Sequence, residues 1–145
     1  MLLAQALHWK GTRFRMAGVL PFEVEVCDKP QGHGYEELIV DCPNPYYPVG
    51  TRIRAHEFHY SRIIPEGAHP PTACAVQRGA GCFGHRDGIL VENVWASYAH
   101  VHAAATSEWA RGFLAQARNH QRQKTALIGL EHPKDTTPGT ISRAY

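Results

Sequence analysis

The chain has 145 residues, 43% of them hydrophobic and 19% charged, with a formal charge of +2, enough for one modest domain and too few for two ordinary ones. Three Trp, six Tyr and five Phe argue against disorder throughout, and 10 Pro with 13 Gly favour a turn-rich, strand-containing fold over a helical bundle. No apolar run approaches the roughly 18 residues of a membrane span, and MLLAQALHWKG lacks the apolar core and cleavage pattern of a signal peptide, so a soluble, cytoplasmic protein with no membrane partner is expected.

Lys and Arg total 15 against 13 Asp and Glu, and they are scattered along the chain. Nucleic-acid binding needs a basic face on a recognisable module, and neither is visible. Cys27, Cys42, Cys74 and Cys82 lie at wide, irregular spacings without a CxxC pair. A disulfide scaffold would be denser and a structural zinc site would offer closer pairs, so four reduced thiols are expected.

In chain order, Met1 to Lys10 has Leu2, Leu3, Ala6 and Leu7 near helical spacing, with Gly11 as a stop, which predicts a short amphipathic helix. From Met16 onward GVLPFEVEV, GYEELIVD, the stretch 51–64, TACAVQRG and GILVENVWASYAHVH read as strands separated by Gly, Pro or Asn. A second helix is predicted from Ser107 to about His120. Thr106 or Ser107 can cap it, Glu108 favours its positive end, and Trp109, Ala110, Phe113, Leu114 and Ala117 form one apolar face. After Gln123 the periodicity is lost, and TALIGLEHPKDTTPGTISRAY reads as a loose tail in which Leu127 to Leu130 could touch the body.

Two segments are dense in chemistry. In His56-Glu57-Phe58-His59-Tyr60-Ser61, strand alternation places Glu57, His59 and Ser61 on one face and His56, Phe58 and Tyr60 on the other. A carboxylate two residues from an imidazole on one face can orient or charge it. In Ser97-Tyr98-Ala99-His100-Val101-His102, a persisting strand would place His100 and His102 on a shared face at the end of an apolar strand, where α/β folds place active sites. Three readings stay open from spacing alone. These are satisfied histidines on an ordinary sheet, a metal site from Glu57, His59, His100 and His102, and a general base activating a nucleophile. HEFH is not HExxH, and no metal site is expected.

RAHEFHYSR together with WASYAHVH resembles the glutaminase domain of the cobyrinate a,c-diamide synthase family, including its siroheme amidase branch associated with dissimilatory sulfite reduction. Ala55 stands where that family usually has Gly, and Val101 where Leu is common. MAGVLPFEVEV, KPQGHGYEEL and VGTRIRAHEF extend the resemblance over roughly residues 1 to 118, and the first two of these lean toward the siroheme branch.

The resemblance implies an α/β fold: the C-terminal portion of a class I glutamine amidotransferase (flavodoxin-like) domain, β-rich with a C-terminal helix. With the loss of periodicity after Gln123, the expected organisation is a partial glutamine amidotransferase domain lacking the nucleophile turn over residues 1–122 and a loose C-terminal tail over 123–145. The resemblance also implies hydrolysis of glutamine at a Cys-His site, with the ammonia passed to ATP-activated a- and c-acetate carboxylates of a cobyrinate- or siroheme-type tetrapyrrole. His100 matches the family's catalytic His. His102 stands where related domains carry the acid that orients it, and Glu57 and His59 match the signature strand as orienting or glutamine-pocket residues.

In the family the nucleophilic Cys sits in an ECGGLM-like turn just before the segment that LLAQAL matches, and Met1 corresponds to the residue after that turn. There is no GxxxxGK[ST] phosphate loop in the 145 residues. The expectation is therefore a chain that binds no cofactor itself and is inactive alone, with ATP and Mg2+ belonging to an N-terminal synthase portion that is its partner. Cys82 in GAGCFGH superficially resembles a glycine-flanked nucleophile, but it follows the signature strand and leads into a loop and a strand. The competing expectation is a non-catalytic domain of the same fold that holds a tetrapyrrole or a partner.

Overall fold

The computed structural model describes residues 1–65, 67–102 and 104–131. In chain order these form β1 (Ala6–Trp9), β2 (Thr12–Arg15), β3 (Phe22–Val26), β4 (Gly32–Val40), β5 (Arg52–His59), β6 (Ser61–Pro65), β7 (Thr72–Arg78), β8 (Arg86–Val91), β9 (Val94–Ala96) and α1 (Ser107–Glu131). The architecture is β-rich with a C-terminal helix, as expected from the sequence. One sheet has the order β2-β1-β3-β6 and the other β5-β4-β7-β8-β9. Of the pairings between these strands only β1 with β3 is parallel.

The helix expected over Met1–Lys10 is corrected. Ala6–Trp9 is a strand, and Lys10 and Gly11, both at positive φ (47° and 74°), turn it directly into β2 with Trp9 opposite Thr12. Two consecutive positive-φ residues make the tight turn that matches strand twist. Gly11, taken as a helix stop, is the second residue of a hairpin.

The stretch 51–64 is two strands. β5 ends at His59, Tyr60 makes the corner, and β6 begins at Ser61, so the chain leaves one sheet and enters the other within a single residue. β5 alternates strictly between exposed and buried positions. Its buried row runs Ile53, Ala55, Glu57, His59 beside Gly32, Glu36, Leu38 and Val40 of β4. The inner face therefore changes from apolar at one end to ionisable at the other.

Leu38, Val40, Ile53, Ala55, Ala73, Cys74 and Val76 form the core of the five-stranded sheet. Ala4, Leu20, Phe22, Val24 and Ile89 form a second cluster that joins the four-stranded sheet to β8. Full burial of each Leu, Ile or Phe contributes about 1.5–3 kcal/mol.

The C-terminal helix is longer than expected. It continues to Glu131, so residues 123–131, read as the start of a loose tail, are helical and the boundary near 122 falls inside α1. The first proline after Arg122 is Pro133, which leaves the helix no earlier stop of that kind. Residues 132–145 and the side chains of 127–131 lie outside the described residues, including any contact of Leu127 to Leu130 with the body.

Its mode of packing also differs from the apolar-face expectation. Gly112 passes the Tyr46 carbonyl so closely that no side chain would fit, and the Gln116 side-chain amide donates to the Pro45 carbonyl at 2.9 Å. Trp109 and Phe113 line an open apolar groove of about 390 Å³ against Leu38, Ile53, Trp95 and Val101. They remain 37% and 56% exposed.

Candidate functional site

The alternation expected for the first histidine segment holds. Glu57, His59 and Ser61 are buried, whereas His56, Phe58 and Tyr60 are exposed. The Glu57 carboxylate accepts the Ala80 amide on Oε1 at 2.7 Å and the Gly81 amide on Oε2 at 3.1 Å. Both amides belong to the turn between β7 and β8. Gly79 precedes them at φ 111°, where a Cβ would lie 2.8 Å from Glu57 Oε1. The GAG string thus wraps backbone around a buried carboxylate, which satisfies a charge that burial would otherwise make costly.

His59 is held from several sides. Its Nδ1–H donates to the Ser61 carbonyl at 2.8 Å, which assigns the proton to that nitrogen. Nε2 lies 3.6 Å from Glu57 Oε2 and has no hydrogen-bond partner among the described residues. The Tyr98 phenol stacks on the imidazole with 3.7 Å between centroids and 6° between planes. The Tyr98 hydroxyl and Ser61 Oγ are hydrogen-bonded at 2.7 Å.

The second histidine segment departs from the expected strand. β9 stops at Ala96, and residues after it cross from the β9 edge of the sheet to the opposite edge at β5. There the His100 amide donates to the His56 carbonyl at 2.8 Å, and the His56 amide donates to the His100 carbonyl at 3.1 Å. His100 is exposed, and its ring makes no hydrogen bond among the described residues.

With the strand ended, His102 does not share a strand face with His100. Its Nδ1 accepts the Ala104 amide at 3.2 Å, and its carbonyl accepts the amides of Ala105 and Thr106. It closes the turn that launches α1. Glu57 and His59 are one buried unit, and His100 is tied to the same strand through backbone. Among the described residues no group of three or more His, Cys, Asp or Glu is placed to hold a metal ion.

Cys82 does not have the character of a nucleophile. Its thiol donates to Asp87 Oδ1 at 2.8 Å, and burial followed by the Asp87 charge pushes its pKa well above the ordinary thiol value. A thiol kept protonated is a poor nucleophile. All four cysteines are free.

Sequence reasoning missed Glu36, Asp87, Gly32 and Tyr98. Glu36 and Asp87 are fully buried, and Glu36 is pushed up to about 8 by burial and then by the neighbouring Asp87 and Glu57 charges. Burial likewise raises Asp87, against the Cys82 thiol and Gly88 amide that favour its charged form. The phase of β4 carried the signal for Glu36, since it stands two residues before Leu38 on the inward row.

Residues 1–108 match the family profile described as a CobB/CobQ-like glutamine amidotransferase domain. A cobyrinate a,c-diamide synthase of Magnetococcus marinus is 45% identical over 116 residues, 80% of this chain and 25% of that protein. Proteins of the same name from Archaeoglobus fulgidus and Halobacterium salinarum are each 36% identical, over 81% and 74% of this chain and 25% and 24% of their own lengths. The chain therefore spans about a quarter of the length of the curated relatives it matches.

Proposed function

Because the chain belongs to the CobB/CobQ-like glutamine amidotransferase domain family, we propose that it supplies the base-bearing portion of a glutaminase site within a larger, ATP-dependent amidoligase. Its substrate is a tetrapyrrole carboxylate, and the names of the relatives favour the a- and c-acetates of cobyrinate over a siroheme-type compound. The cysteine nucleophile comes from the remaining portion of the amidotransferase domain, in the same or a second chain.

The observation that carries this reading is the state of His100. Its backbone is fixed to β5 by two hydrogen bonds, while its exposed imidazole has no hydrogen bond among the described residues. A ring so held is free to take a thiol proton. In the proposed reaction the thiolate adds to the carboxamide carbonyl of glutamine. The proton held by His100 passes to the departing nitrogen, and ammonia leaves as the thioester forms. Water then releases glutamate.

ATP, with Mg2+, activates the acceptor carboxylate when bound. Among the described residues Glu36 and Asp87 are fully enclosed and no group of three or more His, Cys, Asp or Glu is placed to hold the metal. The nucleotide is placed in the remaining synthase portion.

The test is a pair of assays on the enzyme assembled from this chain and the rest of the Magnetococcus marinus relative, with glutamine and then ammonium as nitrogen source. His100→Ala should lower glutamine-dependent amidation on the order of 10²-fold or more and leave the ammonium-dependent reaction intact. Full glutamine-dependent activity in His100→Ala removes the base assignment.

A further inference from the structure

The residues from Ser97 to His100 form a strap outside the named strands, and three of its long-range holds fall within the six residues His56–Ser61. His56 pairs with the His100 backbone, His59 stacks under the Tyr98 ring, and Ser61 Oγ meets the Tyr98 hydroxyl. Asp87 also holds the Ser97 side chain and the Tyr98 backbone, Ala99 packs on the core, and Ser97 Oγ accepts the Ala99 amide at 2.9 Å. The two chemically dense segments of the sequence are therefore one assembly, in which the first is the seat and the second the part seated.

His59 has little freedom in that seat. Its Nδ1–H is bound to the Ser61 carbonyl, one ring face is covered by Tyr98, and the Gly32 backbone closes on Nε2. Glu57, fixed by the Ala80 and Gly81 amides, stands behind Nε2. With 9% of its surface exposed, His59 offers no face to a substrate. Tyr98 is similarly committed: burial pushes its hydroxyl up to about 12, so it stays neutral and available to Ser61.

We infer that His59 and Tyr98 are positioning residues for His100, with Glu57 standing behind His59 in turn, so that the His59–Tyr98 stack sets where the exposed base stands. This rests on the reading of His100 as the base. The chemical logic is that an exposed residue on irregular backbone has no packing of its own to define its position, and a base displaced by about 1 Å can lose on the order of 10²-fold in rate. The stack lies two residues before His100 and transfers the rigidity of β5 to it.

Amide hydrogen exchange on the isotopically labelled 145-residue chain tests the anchoring directly. Tyr98→Ala should accelerate exchange of the His56 and His100 amides by at least about 10-fold, while the Asp41 amide, bonded to Ala73 in the core of the sheet, keeps its protection. Tyr98→Phe retains the stacked ring and should stay within about 3-fold of the parent. Unchanged His56 and His100 exchange in Tyr98→Ala overturns the inference. So does acceleration of all amides together, since that is a merely structural role.

In the assembled enzyme, Tyr98→Ala should lower kcat with glutamine by roughly 10- to 100-fold, with little change in KM and no loss with ammonium. Tyr98→Phe should recover most of the rate. Full kcat in Tyr98→Ala, in an enzyme that His100→Ala inactivates, refutes positioning alone. An enzyme indifferent to His100→Ala refutes the underlying base assignment instead.

Discussion

Gly32 and His59 are direct cross-strand partners, and the imidazole fills the space where a side chain at position 32 would stand. A Cβ there would also lie 2.6 Å from Glu57 Oε2. Gly32→Ala should therefore displace the Glu57–His59 pair and destabilise the chain by about 1–3 kcal/mol, the usual range for overpacking. Urea unfolding of the two proteins measures this, and a parental midpoint in Gly32→Ala would show that the site has slack.

Removal of the Glu57 carboxylate leaves the Ala80 and Gly81 amides without their acceptor. An unsatisfied buried donor costs about 1–3 kcal/mol, so Glu57→Ala should destabilise by about 2–4 kcal/mol. Glu57→Gln keeps one acceptor oxygen and should lose roughly half as much. The comparison of the two denaturation curves is the measurement, and equal losses would assign the effect to charge alone.

The Glu36 carboxyl gives stability a pH dependence of unusual sign. Folded, it is pushed up to about 8, whereas its ordinary value is 4.5. Between those values the folded chain keeps a proton that the unfolded chain has lost, so stability falls as pH rises from about 4.5 to about 8. One such group contributes a slope of up to about 1.4 kcal/mol per pH unit, and Asp87, also raised, acts in the same direction. Glu36→Gln should flatten the profile. Urea midpoints at pH 5 and pH 8 decide the matter, and the same fall in both proteins would exclude Glu36 as the source.

The thiols should differ sharply in reactivity. Burial pushes Cys74 up to about 12, and Cys82, although half-buried like Cys27 and Cys42, is raised by burial and by the Asp87 charge and donates its thiol proton to Asp87. Brief alkylation of the native chain at pH 8, read by peptide mass spectrometry, should label Cys27 and Cys42 well before Cys82. Rapid labelling of Cys82 would reopen it as a nucleophile.

His102 should matter less than its neighbour. Its ring accepts the Ala104 amide and so serves the turn before α1. His102→Ala should leave glutamine-dependent amidation well above that of His100→Ala, since one neutral local hydrogen bond contributes only about 0.5–1.5 kcal/mol. Equal loss in the two variants would place His102 in the reacting site.

The β-rich character and the two faces of His56–Ser61 were legible because strict alternation in β5 is imposed by a sheet with one buried side. The N-terminal strand was not legible. Four residues are too few for periodicity to separate strand from helix, and Gly11 ends either element. The break after Ala96 was equally hidden, since WASYAHVH carries a continuous strand texture while its actual partners lie in β5, far along the chain. Glu36 and Asp87 escaped notice for a different reason: charged residues are ordinarily placed outside, and only the phase shared with Leu38 and Val40 marks Glu36 as inward.

The contact between Ser61 and Tyr98 spans 37 positions of chain, and the intervening residues include all of β7, β8 and β9. Loop-closure entropy disfavours such a contact until those strands have paired and shortened the path between its ends. His100 is thus predicted to reach its place at the end of folding and to leave it first on partial unfolding. Mutations at the strap should then speed unfolding while leaving the refolding rate nearly untouched, an ordering that stopped-flow kinetics on Tyr98→Ala can read. The proposed base would come to rest on a scaffold already complete.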